Sequence, residues 1–493
     1  MELSTPVRNL SSQQMSSRVT SILLDIQEKE LADPTKFTEH YANLSCVIAN
    51  AASTIDPDIK ALDPNSNLKK RRLKESHLDR AVLEVGCMEL KRMFPEYEDF
   101  IDSEREDIIE SRGLELRKKY RKRIRRLCRD AVQENMEARS YDYDALETFT
   151  MKNEELPHVF NRYFKVPKPT GFALDEHGNA IITDDPRSFR VEDNIGQLHG
   201  RKKPMFIDSV EDFLLDDTNF PEFGNYEPMV SSDGKITTKH DEFVEQVNEF
   251  LTEQANLTPY KKVKASYWAD GPGTVTPPGH SVKIVQDLSF RDKENHTLQR
   301  DILMNSALST GLYDTGLAIW YNKEYWEHQG MGGRPVTTIR NMFPDDDIVA
   351  WAGPNRGNQI IKGSEYLPYQ AETFVTPAFA SNPSGHSGFT EVTTTIAKNF
   401  FGSDEYYTGE GLAVRDHNGD GKLDIIGEYQ TTDLGYEDNP TGELITMRWP
   451  TLTDASEAAG TSRYSGGIHW RFEHEGGQSI GETIGQMVSD AMF

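Results

Sequence analysis

Residues 462–469 read SRYSGGIH, and residues 383–387, earlier in the chain, read PSGHS. The first stretch supplies Arg463 and His469, and the second places His386 at the predicted start of a helix. A guanidinium offers a fixed fork of donors, and a helix start offers backbone N–H groups in a favourable potential. Together with two imidazoles, these groups can bind a tetrahedral oxyanion. We therefore predict an oxyanion site at the ends of long helices and in the loops between them.

The motifs also occur in an informative order. Lys323 comes first, Arg334-Pro335 follows, and then come PSGH at 383–386 and SRYSGGIH at 462–469. This order resembles the signature shared by vanadium-dependent haloperoxidases and type 2 phosphatidic acid phosphatases. The resemblance covers residues 256–493 and does not extend to the first half of the chain.

Two further stretches favour the haloperoxidase branch of this superfamily. Residues 267–280, YWADGPGTVTPPGH, resemble a block that precedes the core in bacterial members. Residues 467–472, GIHWRF, are similar to the ending of fungal chloroperoxidases. The resemblance implies a mainly α fold with a haloperoxidase-like helical bundle as its catalytic domain.

The composition restricts the classes of partner. The chain has 493 residues, with 54 Lys or Arg against 80 Asp or Glu, for a formal net charge of -26. Such a charge argues against nucleic acid or an anionic membrane as the main partner, so local cations must hold any oxyanion. No signal-peptide pattern and no apolar stretch of membrane-spanning length occurs, and we expect a soluble, cytoplasmic protein. The cysteine count is three, an odd number, which favours buried free thiols over a disulfide framework.

The chain divides into three parts by pattern. Residues 1–150 have apolar positions at helical spacing and are predicted to form a helical N-terminal region. Residues 151–255 are richer in proline, glycine and acidic residues, and 172–182 read as a β-hairpin, so we expect a short, irregular, β-containing connector. Residues 256–493 are the expected catalytic domain, with an acidic loop inserted near 404–430.

A basic run, RKKYRKRIRR at 117–126, stands out in this acidic chain. It could contact nucleic acid or an acidic partner. It could also be a solvated helix face that acidic residues just upstream balance, among them Glu104 and Glu106. We favour the solvated face.

The resemblance assigns roles to the motif residues. In haloperoxidases the bound ion is vanadate, and the match makes His469 its axial ligand and His386 the residue that moves protons. The residues matched to the oxygen-binding set are Lys323, Arg334, Ser384, Gly385 and Arg463. Glycine at position 385 leaves the backbone open to close approach by the anion.

The resemblance also implies the reactants. Hydrogen peroxide, a halide and a small organic acceptor are the expected partners, in a homo-oligomer, and vanadium would act as a Lewis acid. Trp320 and Phe379 occupy positions similar to aromatic residues that border the halide site of chloroperoxidases. These positions do not settle which halide is used.

Three alternatives stay open. The interval between Lys323 and Arg334 is longer than the family pattern usually has, so His328 or Arg340 could enter the pocket instead. The same pocket holding phosphate would make a soluble phosphatase, in which His469 attacks phosphorus. A non-catalytic structural protein on a retained haloperoxidase scaffold is the last alternative, and the unmatched first half of the chain supports it.

Residues 416–424 read DHNGDGKLD, with oxygen-bearing side chains at alternate positions around a glycine. This pattern is typical of a calcium-binding loop and predicts ligands at Asp416, Asn418, Asp420 and Asp424. The glutamate expected at the end of such a loop is absent, since Gly427 stands there. The alternative is an acidic turn in an exposed insertion.

Overall fold

The structure is a computed structural model of the chain. It describes residues 13–30, 33–153, 163–168, 189–196, 198–216, 241–328, 333–371, 374–409, 413–415 and 424–493. Helices dominate these residues, which confirms the mainly α prediction. Among the described helices, none combines the length and the apolar character needed to span a bilayer.

The described N-terminal helices form a first layer. Their bounds are α1 Met15–Glu30, α2 Pro34–Ser53, α3 Leu78–Met93, α4 Glu98–Ser111 and α5 Lys118–Asn153. Helix α1 buries the apolar stripe that its sequence predicts, including Val19, Ile22 and Ile26. Helix α2 begins after Asp33, whose carboxylate accepts a hydrogen bond from the backbone N–H of Lys36, as an N-cap residue does.

The second half supplies the remaining described helices. Their bounds are α6 Asp241–Ala255, α7 Pro259–Tyr267, α8 Thr276–Arg291, α9 Leu298–His328, α10 Pro335–Met342, α11 Gly385–Phe401, α12 Leu452–Ser465 and α13 Arg471–Met492. Helix α11 begins where the PSGH motif predicts it, with Ser384 as N-cap, and ends at Gly402 in the left-handed conformation. Helix α10 begins within the Arg334-Pro335 motif, and α12 ends within the motif at 462–469.

The described strands form four two-stranded antiparallel sheets. The strands are β1 Tyr163–Pro167, β2 Phe189–Asp193, β3 Asp347–Trp351, β4 Asn358–Lys362, β5 Ala413–Arg415, β6 Asp424–Ile425, β7 Glu428–Thr431 and β8 Ile445–Arg448. Strands β1 and β2 pair within the connector, as the expectation of a β-containing connector requires. The hairpin predicted at 172–182 lies outside the described residues.

A glycine stripe brings α11 and α13 into close contact. Gly477, Gly481 and Gly485 recur at every fourth position of α13 and face α11. A Cβ atom added at Gly477 would lie 2.4 Å from the carbonyl oxygen of Ser384, and one at Gly481 would lie 2.5 Å from that of Gly388. Only glycine permits this approach, which places the start of α11 beside the start of α13.

The N-terminal helices share a core and buried polar contacts with the motif-bearing helices. The backbone N–H of Ser17 on α1 donates to Asp301 on α9 at 2.9 Å, and the Tyr41 hydroxyl on α2 donates to Asn305 at 2.8 Å. Asp314 on α9 accepts hydrogen bonds from three connector N–H groups at 205–207, at 2.8, 2.8 and 2.9 Å. The domain boundaries at 150 and 255 stay predictions.

The cysteines are free and buried, as the sequence predicts. Burial raises the pKa of Cys46 and of Cys87 to about 12 and raises that of Cys128 further. Thiols with such pKa values stay protonated at neutral pH and are therefore unreactive.

Candidate functional site

His469 is the residue around which the site is built. It lies between α12 and α13, and its Nδ1 is 2.7 Å from Glu473 Oε2. The same oxygen accepts hydrogen bonds from Ser381 Oγ at 2.8 Å and from the N–H of Trp470 at 3.0 Å. On the other side of the ring, Arg334 Nη1 lies 3.1 Å from Nε2. A guanidinium can only donate, so Nε2 presents a lone pair and Nδ1 carries the ring proton.

Electrostatics keep this imidazole neutral. Burial, reinforced by the charges of Arg334 and Lys323, holds the pKa of His469 well below its ordinary value. Burial also raises the pKa of Glu473, although Arg334 and the hydroxyl of Ser381 favour its ionised form. A neutral imidazole with an available Nε2 can act as a ligand or as a nucleophile.

Glu473 reaches His469 for a local reason. It is the third residue of α13, and its carboxylate accepts from the N–H of Trp470, the residue that caps this helix. A glutamate at this position is half of a capping box. The same contact that starts α13 therefore also fixes the ring of His469.

Lys323 and Arg334 hold the chain around the site. The Lys323 ammonium donates to three backbone carbonyls, those of Ala380, Ser381 and Pro383, at 2.9, 2.8 and 2.5 Å. Arg334 donates to the carbonyls of Ile468 and Phe379, both at 3.0 Å. Both cations thus fix the segments that carry His469 and the start of α11.

The start of α11 contributes backbone and imidazole groups. The N–H of Ser384 donates to the carbonyl of Glu473 at 2.8 Å. A Cβ atom added at Gly385 would meet only Phe389 at 3.7 Å and Trp320 at 3.8 Å, which are ordinary contacts. A larger side chain there would enter the space beside the helix start. His386 follows, with Nε2 3.3 Å from the carbonyl oxygen of Ala269.

Of the three cations predicted to bind the anion, Arg463 in the last turn of α12 is the one that lines the cavity of the site. It is 1% exposed, and its Nε donates to Ser462 Oγ at 3.0 Å while Nη2 donates to the carbonyl of Ala265. None of the described residues accepts a hydrogen bond from its Nη1. Burial lowers the pKa of Arg463 to about 10, so it is charged at neutral pH.

These groups meet at one cavity of about 120 Å³. Its polar end is formed by Asp270, His386, Arg463 and His469, and much of its wall is aromatic or proline. A cavity of this size has room for several water-sized groups, and so for a tetrahedral anion with a small second reactant. The first half of the chain lines it too, through Asp33, Pro34 and Ile195.

The predicted halide pocket lies in the apolar wall of this cavity. Trp320 and Phe379 both line it, with ring centroids 5.3 Å apart. The Trp320 indole N–H donates to the carbonyl of Ile195 at 3.0 Å, which fixes the ring. Phe389 adds a third ring to this wall.

Most of the other predicted site residues can be placed. Lys323, Arg334 and Ser384 lie just behind the cavity surface, in contact with the segments that form it. Arg340 instead donates to the carbonyl of Tyr366 at 2.9 Å, away from the cavity. The side chain of the other alternative, that of His328, lies outside the described residues.

The proposed calcium ligands are mostly outside the described part of the chain. This holds for Asp416, Asn418 and Asp420, whereas Asp424 begins β6 and is partly buried. Across the described ranges, no cluster of three or more His, Cys, Asp or Glu side chains has the arrangement of a metal site. The calcium site stays a prediction.

Sequence reasoning missed several residues of the site. Glu473 has a signal, since a carboxylate follows His469 by one helical turn and stands at a capping-box position. Asp270 lines the cavity, and each of its carboxylate oxygens lies 3.1 Å from His280 Nδ1. Asp33 and Ile195 have no local signal, because long-range packing brings them to the cavity.

Known proteins resemble this chain in part of its sequence and in its fold. Residues 303–493 match the family model described as the VCPO second helical-bundle domain. This part of the chain is therefore similar to that domain, and we refer to it as the VCPO domain of the match. The match confirms the resemblance that the motifs indicated, and the matched residues include all the predicted oxyanion-site residues.

Solved structures resemble the whole chain in fold. Bacterial vanadium-dependent chloroperoxidases in apo and holo form each match with TM-score 0.65 and 18% identity over 93% of this chain, and over 94% and 91% of theirs. The first bacterial vanadium-dependent iodoperoxidase matches with TM-score 0.61 and 14% identity, over 100% of this chain and 99% of its own. No curated protein sequence gives a significant match. The fold likeness therefore extends beyond the VCPO domain into the first half, where the sequence resemblance does not reach.

Proposed function

We propose that the protein is a vanadate-dependent haloperoxidase, which oxidises a halide with hydrogen peroxide to a hypohalous acid equivalent that halogenates a small organic acceptor. The observation that carries the proposal is His469. Its Nδ1 is held by Glu473 at 2.7 Å, and its Nε2 lies beside Arg334 at the edge of a largely apolar cavity. The neighbours in fold are described as vanadium-dependent chloro- and iodoperoxidases.

The residues present fit vanadate by their chemistry. A neutral imidazole whose Nε2 carries the lone pair suits a metal-centred oxyanion, and a carboxylate on its other nitrogen is the usual support for such a ligand. Arg463, which has an N–H group without a described acceptor, and the open backbone at Gly385 would hold the anion's oxygens, with Lys323, Arg334 and Ser384 behind them. When bound, vanadate would act as a Lewis acid that activates hydrogen peroxide toward the halide.

His386 is suited to move the proton. Burial and the charge of Arg463 lower the pKa of His386 to about 3, so its ring is neutral when no anion is nearby. A negative charge in the cavity favours the protonated ring and therefore raises this pKa toward neutrality. His386 would then alternate between the two forms at working pH and serve as a general acid and base.

The aromatic wall would provide the second subsite. Trp320, Phe379 and Phe389 present ring edges and faces rather than polar groups to the cavity. A halide is weakly hydrated compared with an oxyanion, and an apolar wall beside fixed cations admits it while excluding water. The Lys323 ammonium, 5.1 Å from the centre of the Phe379 ring, adds positive potential there.

A soluble phosphatase is the second candidate. His469, oriented by Glu473, also has the arrangement of a nucleophile with its orienting group. In that reaction Nε2 attacks phosphorus, the phosphorus–oxygen bond to the alcohol breaks, and His386 gives its proton to the departing oxygen. The two candidates differ in the anion they bind productively.

The test is direct. Purified protein dialysed against orthovanadate is assayed for conversion of monochlorodimedone with peroxide and bromide, and vanadate binding is measured separately by calorimetry. We expect stoichiometric binding and turnover in the wild type, and neither in His469→Ala. His474→Ala is the matched control, because this histidine lies one turn into α13 and contacts Ser387 and Glu457 instead of the cavity. Wild-type protein that gives no heat with vanadate or phosphate would eliminate both enzymatic candidates.

A further inference from the structure

A second cavity lies in the N-terminal helices. It measures about 460 Å³, is bounded by α3, α4 and α5, and has no described lining residue in common with the cavity at His469. This volume falls within the range of small-molecule sites. Cations outnumber carboxylates around it, and the charged side chains are Arg80, Lys91, Arg105, Arg121 and Arg125 against Glu84 and Asp102. We call it the α3–α5 cleft.

One wall of the cleft is a ladder of ion pairs. Glu84 contacts Arg80 at 2.5 Å and Arg105 at 3.1 Å. Asp102 contacts Arg105 at 3.1 Å and also Lys91. The ladder thus has three cations and two carboxylates in alternation. It orients its side chains, and Glu98, 3.3 Å from Lys91, extends it at the Lys91 end.

The opposite wall is the α5 face that carries Arg121 and Arg125. These residues are one helical turn apart and exposed, and among the described residues no carboxylate forms an ion pair with either. The upstream acids expected to balance this basic run contact other cations: Glu104 contacts Arg18 at 2.8 Å, and Glu106 lies 3.6 Å from Arg105. The expectation of local balance is therefore wrong for these two acids.

This arrangement is unfavourable without a counter-charge. Arg121 and Arg125 add two cations without a described ion-pair partner to a cleft whose lining cations outnumber its lining carboxylates, in a chain whose formal net charge is -26. Like charges that line one cleft repel each other, and an anion between the walls converts this repulsion into attraction. Guanidinium groups match phosphate oxygens in geometry better than ammonium groups do, and four of the five cations are arginines.

We propose that the α3–α5 cleft binds a small molecule that carries two or more linked phosphate groups. Arg121 and Arg125 hold the phosphates from one wall, and Arg80, Arg105 and Lys91, held in place by the ladder, contact them from the other. The floor contains Met88 and Ile124, which gives an uncharged part of the ligand an apolar surface.

The test compares two double variants of α5 in titrations with inorganic pyrophosphate and inorganic triphosphate. Arg121→Glu/Arg125→Glu removes the cleft cations. Lys122→Glu/Arg126→Glu makes the same charge change at the same spacing, at exposed positions that do not line the cleft. Any binding of these anions at the His469 cavity is common to both variants, so the difference between them isolates the cleft.

We expect the wild type and the Lys122→Glu/Arg126→Glu variant to bind pyrophosphate with affinities within a few-fold of each other. The Arg121→Glu/Arg125→Glu variant should bind at least about 100-fold more weakly, since each lost charge-assisted contact is worth about tenfold or more. Pyrophosphate should raise the melting temperature of the first two proteins by more than that of the third. Equal loss in both variants, or wild-type protein that binds neither anion, would overturn the proposal. None of these outcomes depends on haloperoxidase activity.

Discussion

Replacement of Glu473 by glutamine tests whether the ring of His469 must be held for the oxyanion to bind. The substitution keeps the size of the side chain and an oxygen that can accept from Ser381 and Trp470. It removes the negative charge 2.7 Å from Nδ1 of His469. If the amide NH₂ faces the ring instead, the ring proton must move to Nε2, and no lone pair is left for a ligand.

The expected magnitude follows from these two outcomes. A charge-assisted hydrogen bond that becomes a neutral one loses about 1 to 1.5 kcal/mol, or roughly tenfold in affinity. Loss of the correct tautomer costs more, and partners of metal-bound histidines typically contribute about 10- to 100-fold. We therefore expect Glu473→Gln to weaken vanadate binding by about 10- to 100-fold.

The assay is calorimetric titration of orthovanadate, with thermal melts of the ligand-free proteins alongside. Glu457→Gln is the matched control, since Glu457 on α12 makes the equivalent contact with another histidine, His474 Nε2 at 3.1 Å, outside the cavity. Glu473→Gln should melt close to the wild type, because its hydrogen bonds can be re-formed. A wild-type vanadate affinity in Glu473→Gln, or an equal loss in Glu457→Gln, would refute the role assigned to this carboxylate.

Three other outcomes test separate parts of the molecule. His386→Ala should bind vanadate as the wild type does yet lose halide oxidation by about 100-fold or more; full peroxidase activity with loss of phosphatase activity would indicate phosphate chemistry. Burial lowers the pKa of His199 to about 3, so the unfolded chain takes up a proton below pH ~6.5 that the folded chain does not. The contribution of His199 to the free energy of unfolding is therefore fully present above that pH and is lost progressively as the pH falls toward 3. Urea unfolding of the wild type should thus show a lower free energy of unfolding at pH 5 than at pH 7, and His199→Phe should make this difference smaller by about 2 kcal/mol. If the acidic loop binds calcium, chelation should lower the melting temperature and Asp420→Ala should abolish that effect, whereas an unchanged melt would leave only a turn.

The part of the site that local sequence encodes was predictable. Ser384 caps α11 because a serine before a glycine at a helix start can accept from the N–H of Ser387. Gly385, His386 and Arg463 then reach the cavity because they stand at helix ends that short motifs fix. The motif is sufficient for this prediction because the N-cap Ser384 lies only one and two residues before Gly385 and His386.

The part that long-range packing decides was not predictable. The resemblance places Lys323 among the oxygen-binding residues, and the structure shows its ammonium on the backbone carbonyls of residues 380, 381 and 383. Every residue has a backbone carbonyl, so the sequence pattern could not indicate that carbonyls would be the hydrogen-bond partners of Lys323. Glu473 is the intermediate case. Its capping position can be predicted from the sequence, whereas its contact with His469 depends on the conformation of the residues between α12 and α13.

The cavity wall also links the two halves of the chain. Trp320 is fixed by the carbonyl of Ile195, and the ring of His199 meets it edge to face at a centroid distance of 5.9 Å. Gly200 lies so close to α9 that a Cβ atom there would be 2.3 Å from the backbone nitrogen of Tyr321. The connector therefore sets the position of the aromatic wall, while the motifs of the VCPO domain set the groups around His469. Sequence changes in the connector can consequently alter the aromatic wall without touching any residue proposed to hold the anion.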